Sequence, residues 1–567
     1  MKMKFVASLL LVATTNATIR GYDGGEDERG SKRVKMTEES KEDITSLYGP
    51  CKDALEALGC TIHTTQEFRM MRDIIEVNCQ HKYISSLTSL SVCHGVGPVK
   101  GSLDLSNNDI TSLEGIPSFE ELLLNDNRIV NLEPLATMWF LKELQLDMNQ
   151  ILNLDPLAKL VLLQELHLNN NIIVNLDPLA ELVLLQELHL NNNLIVNLKP
   201  LEKMLNMFWL ELNSNKIEQL EPLVKMESLD KLYLNNNRIG AGLRGRNSLE
   251  PLSKLTNLKH LDLEKNQIVE LGPLRTLNLL QLGLSFNRIV ELEPLAGLSR
   301  LQELHLESNQ IANIDHLKSL VELQDLWLNN NKIADIRSLA NMNLVALNLE
   351  NNEIVNLSPL AEMEEQEELK HLFLDNNKIE NLEPLAKLVG LLELHLGNNK
   401  IVKIEHLKAL VELRMLYLDN NTVVNIEPLE SLVNLIELSL QDNKVTNLVP
   451  LANMKSLIWA NFLRNPFHQE LNMASYQQFL PSQLRYTCVD SKLRAYYHDL
   501  VSWAIQELPQ GLVDTLQEYA FPIGASFIAS LDSLPQSMSD EEAMKLGCRR
   551  IPNKDKLAHG PALPNLR

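Results

Sequence analysis

Leu166-His167-Leu168-Asn169-Asn170-Asn171-Ile172-Ile173-Val174-Asn175-Leu176-Asp177-Pro178-Leu179 decides the architecture, because the same spacing of Leu, Asn, Ile and Pro returns along most of the chain. The alternation in Leu-x-Leu is the period-two signal of a strand whose leucines face inward. The Asn leaves that strand at a bend, where a short amide can satisfy backbone groups that the turn removes from the ladder. Pro178, like Pro134, Pro156, Pro200, Pro222, Pro294, Pro384 and Pro428, is placed to start a short helical turn with a preset φ. The Asn recurs seventeen times from Asn108 to Asn465, usually 22 residues apart, with a first step of 19 and steps of 29 and 25 where loops enter. Only about ten residues remain for the return path, so it is expected to be 3₁₀ or irregular rather than a long helix.

The wider composition agrees with repetition: 567 residues are 45% hydrophobic but only 5% aromatic. The unit is identified as a leucine-rich repeat. This resemblance implies an α/β repeat solenoid, a horseshoe with parallel strands on its concave face, a 3₁₀ or irregular convex side and disulfide-bearing caps. One coil cannot offset its own ordering entropy, so neighbours must share apolar faces and both ends need closing. The expected organisation is a signal peptide at 1–17, a flexible acidic leader at 18–48 and a Cys-containing N-terminal cap at 49–98. About seventeen repeats follow at 99–465, then a helical C-terminal cap at 466–567.

Lys2 and Lys4 precede a short apolar run, the pattern of a secretory signal. The run falls short of the ~20 residues that span a bilayer. The leader that follows is polar and charge-rich. Arg20 with Glu26, Asp27, Glu28 and Arg29 resembles a degenerate form of the RxLR and dEER translocation motifs of oomycete secreted effectors. Export makes disulfides the expected fate of Cys51, Cys60, Cys79 and Cys93, with three pairings open among them, and of Cys488 and Cys548. Cys51 with Cys93 would seal the first coil, and Cys488 with Cys548 the last. His63, His81 and His94 beside these cysteines match no standard zinc spacing. A helix is expected over Thr65 to Val77. Asn356 and Asn420 stand in glycosylation sequons, the first followed by Pro359.

Strand residues between and before the leucines face the hollow, and seventeen strands trace roughly 80 Å of surface. On it the sequence places Glu165, His167, Glu187, His189, Trp209, Tyr233, Trp327, Phe373, His395 and Tyr417 as candidate protein-contacting residues. The core is already filled by leucine, so Tyr233, Trp327, Phe373 and Tyr417 are the expected interface anchors. Repeated Glu-x-His pairs such as Glu165 with His167 are read as products of duplication, not as metal sites. Gly240 to Gly245 spells GxGxxG but lacks the strand and long helix that a dinucleotide site requires, and is read as a loop.

A formal charge of -22 works against phosphate-backbone binding and excludes nucleic acid as a natural ligand. The sequence has no P-loop, nucleophile elbow, HExxH or kinase motif, so neither an enzyme nor a cofactor is expected. The repeat is similar to that of the leucine-rich regulators of type 1 protein phosphatase and of bacterial internalins, which implies protein binding through the hollow face. The combined expectation is a secreted, monomeric effector without a membrane span. It would engage a host protein, outside the cell or after entry into it, and suppress defence or cell death. A phosphatase-regulator-like scaffold inside cells and an extracellular adhesion protein are the alternatives.

Overall fold

The computed structural model describes residues 50–67, 72–95, 99–241, 248–340, 342–363, 367–466, 486–488 and 548–550. The signal, the leader with its Arg20 and Glu26–Arg29 motif, the Gly242–Gly245 part of the GxGxxG loop and most of the C-terminal segment lie outside these residues. The strands among these residues form one 21-stranded sheet. Its first strand, β1 (Thr61–Glu67), pairs antiparallel with β2 (Arg72–Asn78), and β2 pairs parallel with β3 (Val99–Asp104). From there each strand pairs parallel with the next, through β4 (Phe119–Leu123) to β19 (Trp459–Asn461). The parallel ladder continues past Asn465 to β20 (Tyr486–Cys488), where β21 (Cys548–Arg550) returns antiparallel. Its register sets Cys488 opposite Cys548.

Each coil contributes seven buried apolar side chains. In one turn these are Leu163, Leu166, Leu168, Ile173, Leu176, Leu179 and Leu182, each at most 1% exposed. The return path is a 3₁₀ turn, as its length requires. In Asp155–Lys159 the proline sits at its start. Asn153 accepts the Asp155 N–H at 3.0 Å, an Asx turn that opens the 3₁₀ segment, and Asn131, Asn175, Asn197 and Asn425 repeat it.

The coils are joined by the recurrent Asn. Asn171 donates from Nδ2 to Leu168 O (3.2 Å) and Asn169 O (3.1 Å) in its own bend and to Leu146 O (3.0 Å) in the coil before. Its Oδ1 accepts the Ile151 N–H at 2.9 Å. Every rung therefore ties backward to one neighbour. The residue just before each of these asparagines is left-handed, from Asn107 (φ 58°) through Met148 (56°) and Phe286 (56°) to Arg464 (56°). Asn tolerates that region better than most residues, which is why Asn occupies it at 170, 192, 236, 330, 351, 376, 398 and 420 as well.

The expected helix over Thr65 to Val77 is not found among the described residues of that span, which belong to β1 and β2, paired in register from Thr61 opposite Asn78 to Glu67 opposite Arg72. Thr61, Ile62, Thr64, Thr65, Ile74, Ile75 and Val77 are β-branched and favour a pleated surface over a helix. Helix forms instead at residues 50–57. Disulfides Cys60–Cys79 and Cys51–Cys93 close the hairpin and tie that helix to the first coil. With their sulfurs bonded, these cysteines offer no thiolates for zinc. Gly101 marks the tightest joint: at φ +120°, a Cβ there would stand 2.1 Å from the Ile75 carbonyl oxygen. Among the described residues no helix is long and apolar enough to cross a membrane.

Candidate functional site: the concave wall

Register fixes two columns of side chains on the hollow face. The first carries Glu121, Glu143, Glu165, Glu187 and Trp209 on successive strands; the second carries Leu123, Gln145, His167, His189 and Glu211. A third line, the rim, follows two residues later. There Asn125 accepts the Asp147 N–H (2.8 Å), Asp147 the Asn169 N–H (2.6 Å), and Asn169, Asn191 and Asn213 repeat the bond as far as Asn235. Sequence reasoning missed this line, although Asn or Asp directly after Leu-x-Leu was its visible signal.

In the first half, four stacked glutamates share the wall. Burial, then the neighbouring Glu143, pushes the Glu121 carboxyl above its usual range, and burial and Glu165 do the same to Glu143. His167 breaks the run. Its Nε2 meets Glu165 Oε1 at 2.7 Å, and this hydrogen bond lowers Glu165. Burial opposes charge on the His167 ring, but Glu165 and Asp147 outweigh it and raise the imidazole. The ring stacks on His189 at 4.1 Å, and His189 lies edge-on to Trp209 at 4.9 Å. Lys231 Nζ sits 3.8 Å over the Trp209 ring. His189 is only 5% exposed, with Nδ1 3.0 Å from Glu211 Oε2, so it orders the wall from within rather than offering itself to a partner.

Beyond Tyr233, which is half-buried with its hydroxyl raised by burial and by Glu211 and Asp262, the wall turns aromatic. Ring centroids run from His305 to Trp327 (5.9 Å), Phe373 (5.9 Å), His395 (4.7 Å), Tyr417 (4.3 Å) and Trp459 (6.3 Å). Trp327 and Phe373 are two rungs apart, a spacing of ~9.6 Å, yet their rings lean together over Asn348 between them and bury it. Three of the four expected anchors, Trp327, Phe373 and Tyr417, thus belong to one continuous strip. Tyr233 stands apart, and His305 and Trp459 extend the strip beyond the sequence reading. Tyr417 donates its hydroxyl to Glu437 at 2.6 Å, which with burial raises its pKa well above the usual value.

Along the strip the rim changes composition. Glu264, Glu307 and Glu350 replace the short Asn and Asp, and their carboxylates turn toward the histidines. His305 holds Glu303 Oε1 at 2.8 Å and faces Glu307 at 3.5 Å and Glu264 at 3.9 Å. Burial opposes its charge, but these carboxylates raise it to about 10, while burial and the charges of Asp262 and Glu307 push Glu264 up to about 7. Around His395 the pattern recurs: Asp375 Oδ2 lies 3.4 Å from Nδ1 and Glu393 Oε1 3.0 Å from Nε2. His395 rises to about 9 against the effect of its burial, and Glu393 falls to about 2 against its own, held by His371 and His395. The sequon residues Asn356 and Asn420 are exposed, with Asn356 Oδ1 taking the Ser358 N–H at 3.0 Å.

The family model described as Leucine Rich repeats (2 copies) matches residues 277–319 and 367–409. A leucine-rich-repeat protein of Leptospira interrogans is 26% identical with a TM-score of 0.57, over 64% of this chain and 92% of that one. The functional domain of InlJ from Listeria monocytogenes, described as including a cysteine ladder, is 20% identical with a TM-score of 0.52, over 67% and 81%. The Arabidopsis receptor kinase HAESA, solved with the peptide hormone IDA and the co-receptor SERK1, is 19% identical with a TM-score of 0.52, over 69% and 74%. The search of curated proteins finds no match. The chain carries leucine-rich repeats, and its fold is the leucine-rich-repeat horseshoe.

Proposed function

We propose that this leucine-rich-repeat protein is a secreted, non-enzymatic effector that grips a host protein with its concave wall. The observation that carries the reading is the strip of rings from His305 to Trp459. Its rings from His305 to Tyr417 are half-buried on the hollow face, with Trp459, only 8% exposed, packed at its end, and carboxylates and imidazoles flank them. Large rings in a polar rim are the usual anchors of a protein interface. Their mutual stacking holds them in place before a partner arrives, which reduces the entropy lost on binding. The acidic first half favours a partner with a cationic segment, meeting Glu121, Glu143, Glu165 and Glu187. HAESA, with the same fold, is described with a peptide hormone and a co-receptor.

Export is supported by the signal-like start and by the Cys51–Cys93 and Cys60–Cys79 bonds, which persist in oxidising compartments. The same bonds weigh against an intracellular phosphatase regulator. Entry into host cells rests on the Arg20 and Glu26–Arg29 leader alone. The test is proximity labelling from the tagged secreted protein, comparing wild type with a Trp327→Ala/Phe373→Ala variant whose fold is checked by circular dichroism. Selective loss of one labelled host protein supports the reading; an unchanged labelling profile overturns it.

A further inference from the structure

Glu350, Asp375 and His395 come from three successive coils: Glu350 just after β14 (Ala346–Asn348), Asp375 just after β15 (His371–Phe373) and His395 at the end of β16 (Glu393–His395). One ligand atom from each lies within 4.8 Å of the others. We propose that this cluster binds one divalent cation of the zinc class, through His395 Nδ1 and one oxygen each of Asp375 and Glu350, with its remaining positions open to the hollow. The proposal stands independently of the protein-binding reading.

Several features beyond proximity point to a ligand. The imidazole is oriented as metal-bound imidazoles are: Nε2 is held by Glu393 Oε1 at 3.0 Å while Nδ1 faces Asp375 Oδ2 at 3.4 Å. Glu393 is itself fixed by His371 Nδ1 at 2.8 Å, so a second carboxylate sets the ring without spending the donor set. Asp375 is split in the same way. Its Oδ1 accepts the Gly397 N–H, and its Oδ2 is the oxygen nearest His395. Gly397 keeps the approach clear, because a Cβ there would stand 2.9 Å from Asp375 Oδ1. One rung earlier on the rim, Asn329 has a buried Oδ1 with no hydrogen-bond partner among the described residues.

The donor chemistry selects the cation. One imidazole nitrogen with two carboxylates suits zinc and its first-row neighbours, whereas calcium asks for six to eight oxygens. Tetrahedral zinc sets its ligands ~3.3 Å apart, so the donors must draw in by up to ~1.5 Å, within reach of the flexible Glu350 side chain. The His305 cluster is the internal contrast. It has similar groups, but Ser285 donates its hydroxyl to Glu307 Oε2, and His305 Nδ1 stands 3.5 Å from Glu307 and 3.9 Å from Glu264.

The experiment uses the full chain with disulfides intact, stripped with a chelator. Titration calorimetry with zinc chloride is paired with the visible absorption that appears when Co²⁺ enters a low-coordinate site. The expected result is one high-affinity cation per chain. His395→Gln and Asp375→Asn weaken it at least about tenfold, and Glu350→Gln weakens it less, while His305→Gln leaves it unchanged. Circular dichroism checks each variant; should the first two misfold, Glu350→Gln, which keeps a polar partner for Asp375, carries the comparison. No stoichiometric zinc uptake by the wild type, an affinity indifferent to all three ligand changes, or equal weakening by His305→Gln overturns the proposal.

Discussion

Replacing Asn193 by Ala removes one rung of the amide ladder and nothing else of comparable size. Asn193 is buried; its Nδ2 donates to Leu168 O at 2.9 Å, Leu190 O at 3.2 Å and Asn191 O at 3.2 Å, and its Oδ1 accepts the Ile173 N–H at 3.0 Å. In the variant the Ile173 N–H loses that acceptor, and Leu168 O keeps only the longer 3.2 Å bond from Asn171. A buried backbone group left without its partner costs ~1–3 kcal/mol, so the change should cost roughly 2–4 kcal/mol once the weakened carbonyls are added. Asn193→Asp should be no better. It keeps an acceptor for Ile173 but turns a carboxylate toward three carbonyl oxygens. Because each coil touches only its neighbours, the loss should be local. Hydrogen exchange read by mass spectrometry should quicken in the coils of Ile173 and Leu190 and stay unchanged around Leu416 and Leu438. A cost below ~1 kcal/mol by denaturant titration, or exchange that quickens evenly along the whole solenoid, would refute the ladder as the source of cohesion.

Met148 is exposed and left-handed at φ 56°, so Met148→Asn should raise stability by roughly 0.5–1 kcal/mol in a denaturant titration; a loss would show that the Met side chain contributes more than its backbone strain costs. Glu143 has a folded pKa raised above 4.5 by burial and by Glu165, so its favourable contribution exists at lower pH and is lost as pH rises through the folded value. Glu143→Gln should therefore be more stable than wild type at pH 7, by no more than about 0.5 kcal/mol for a half-exposed charge, and match it near pH 4 in denaturant titrations; a gain confined to acid would reverse the sign. Opening the Cys60–Cys79 loop with a double Ser substitution should cost ~3 kcal/mol, concentrated in exchange protection of the β1–β2 hairpin and the first coils. Non-reducing peptide mapping should recover Cys51–Cys93, Cys60–Cys79 and, from the register of β20 with β21, Cys488–Cys548; a free thiol at Cys488 would break the last expectation.

What could be read from residues alone was what the chain says many times. Leu-x-Leu, the bend Asn and the 3₁₀ proline each meet the same demand in every coil, so one drifted copy does not hide the rule. The inward and outward sides of each strand followed from period two, which placed Glu165, His167, Trp327 and Tyr417 on the hollow face before any coordinates. The β1–β2 hairpin occurs once, and its threonines and isoleucines had no second copy to separate a strand from a helix. The Glu350, Asp375 and His395 cluster was hidden differently. The step of 25 residues between Asn352 and Asn377 displaces Asp375 from the regular period, and nothing in a column read strand by strand says that rim carboxylates fold back onto a histidine. The leaning of Trp327 and Phe373 across Asn348 is likewise a matter of rotamers, to which sequence spacing is blind.

Because each bend asparagine reaches only to the coil behind it, a copied turn meets its new neighbours through joints identical to the old ones. Genetic duplication or deletion in whole turns therefore lengthens or shortens the arc without creating a foreign seam. Leu160–Asn171 and Leu182–Asn193, identical in sequence, have the look of such an event. The molecule can change how wide a target it embraces faster than it can change how it folds.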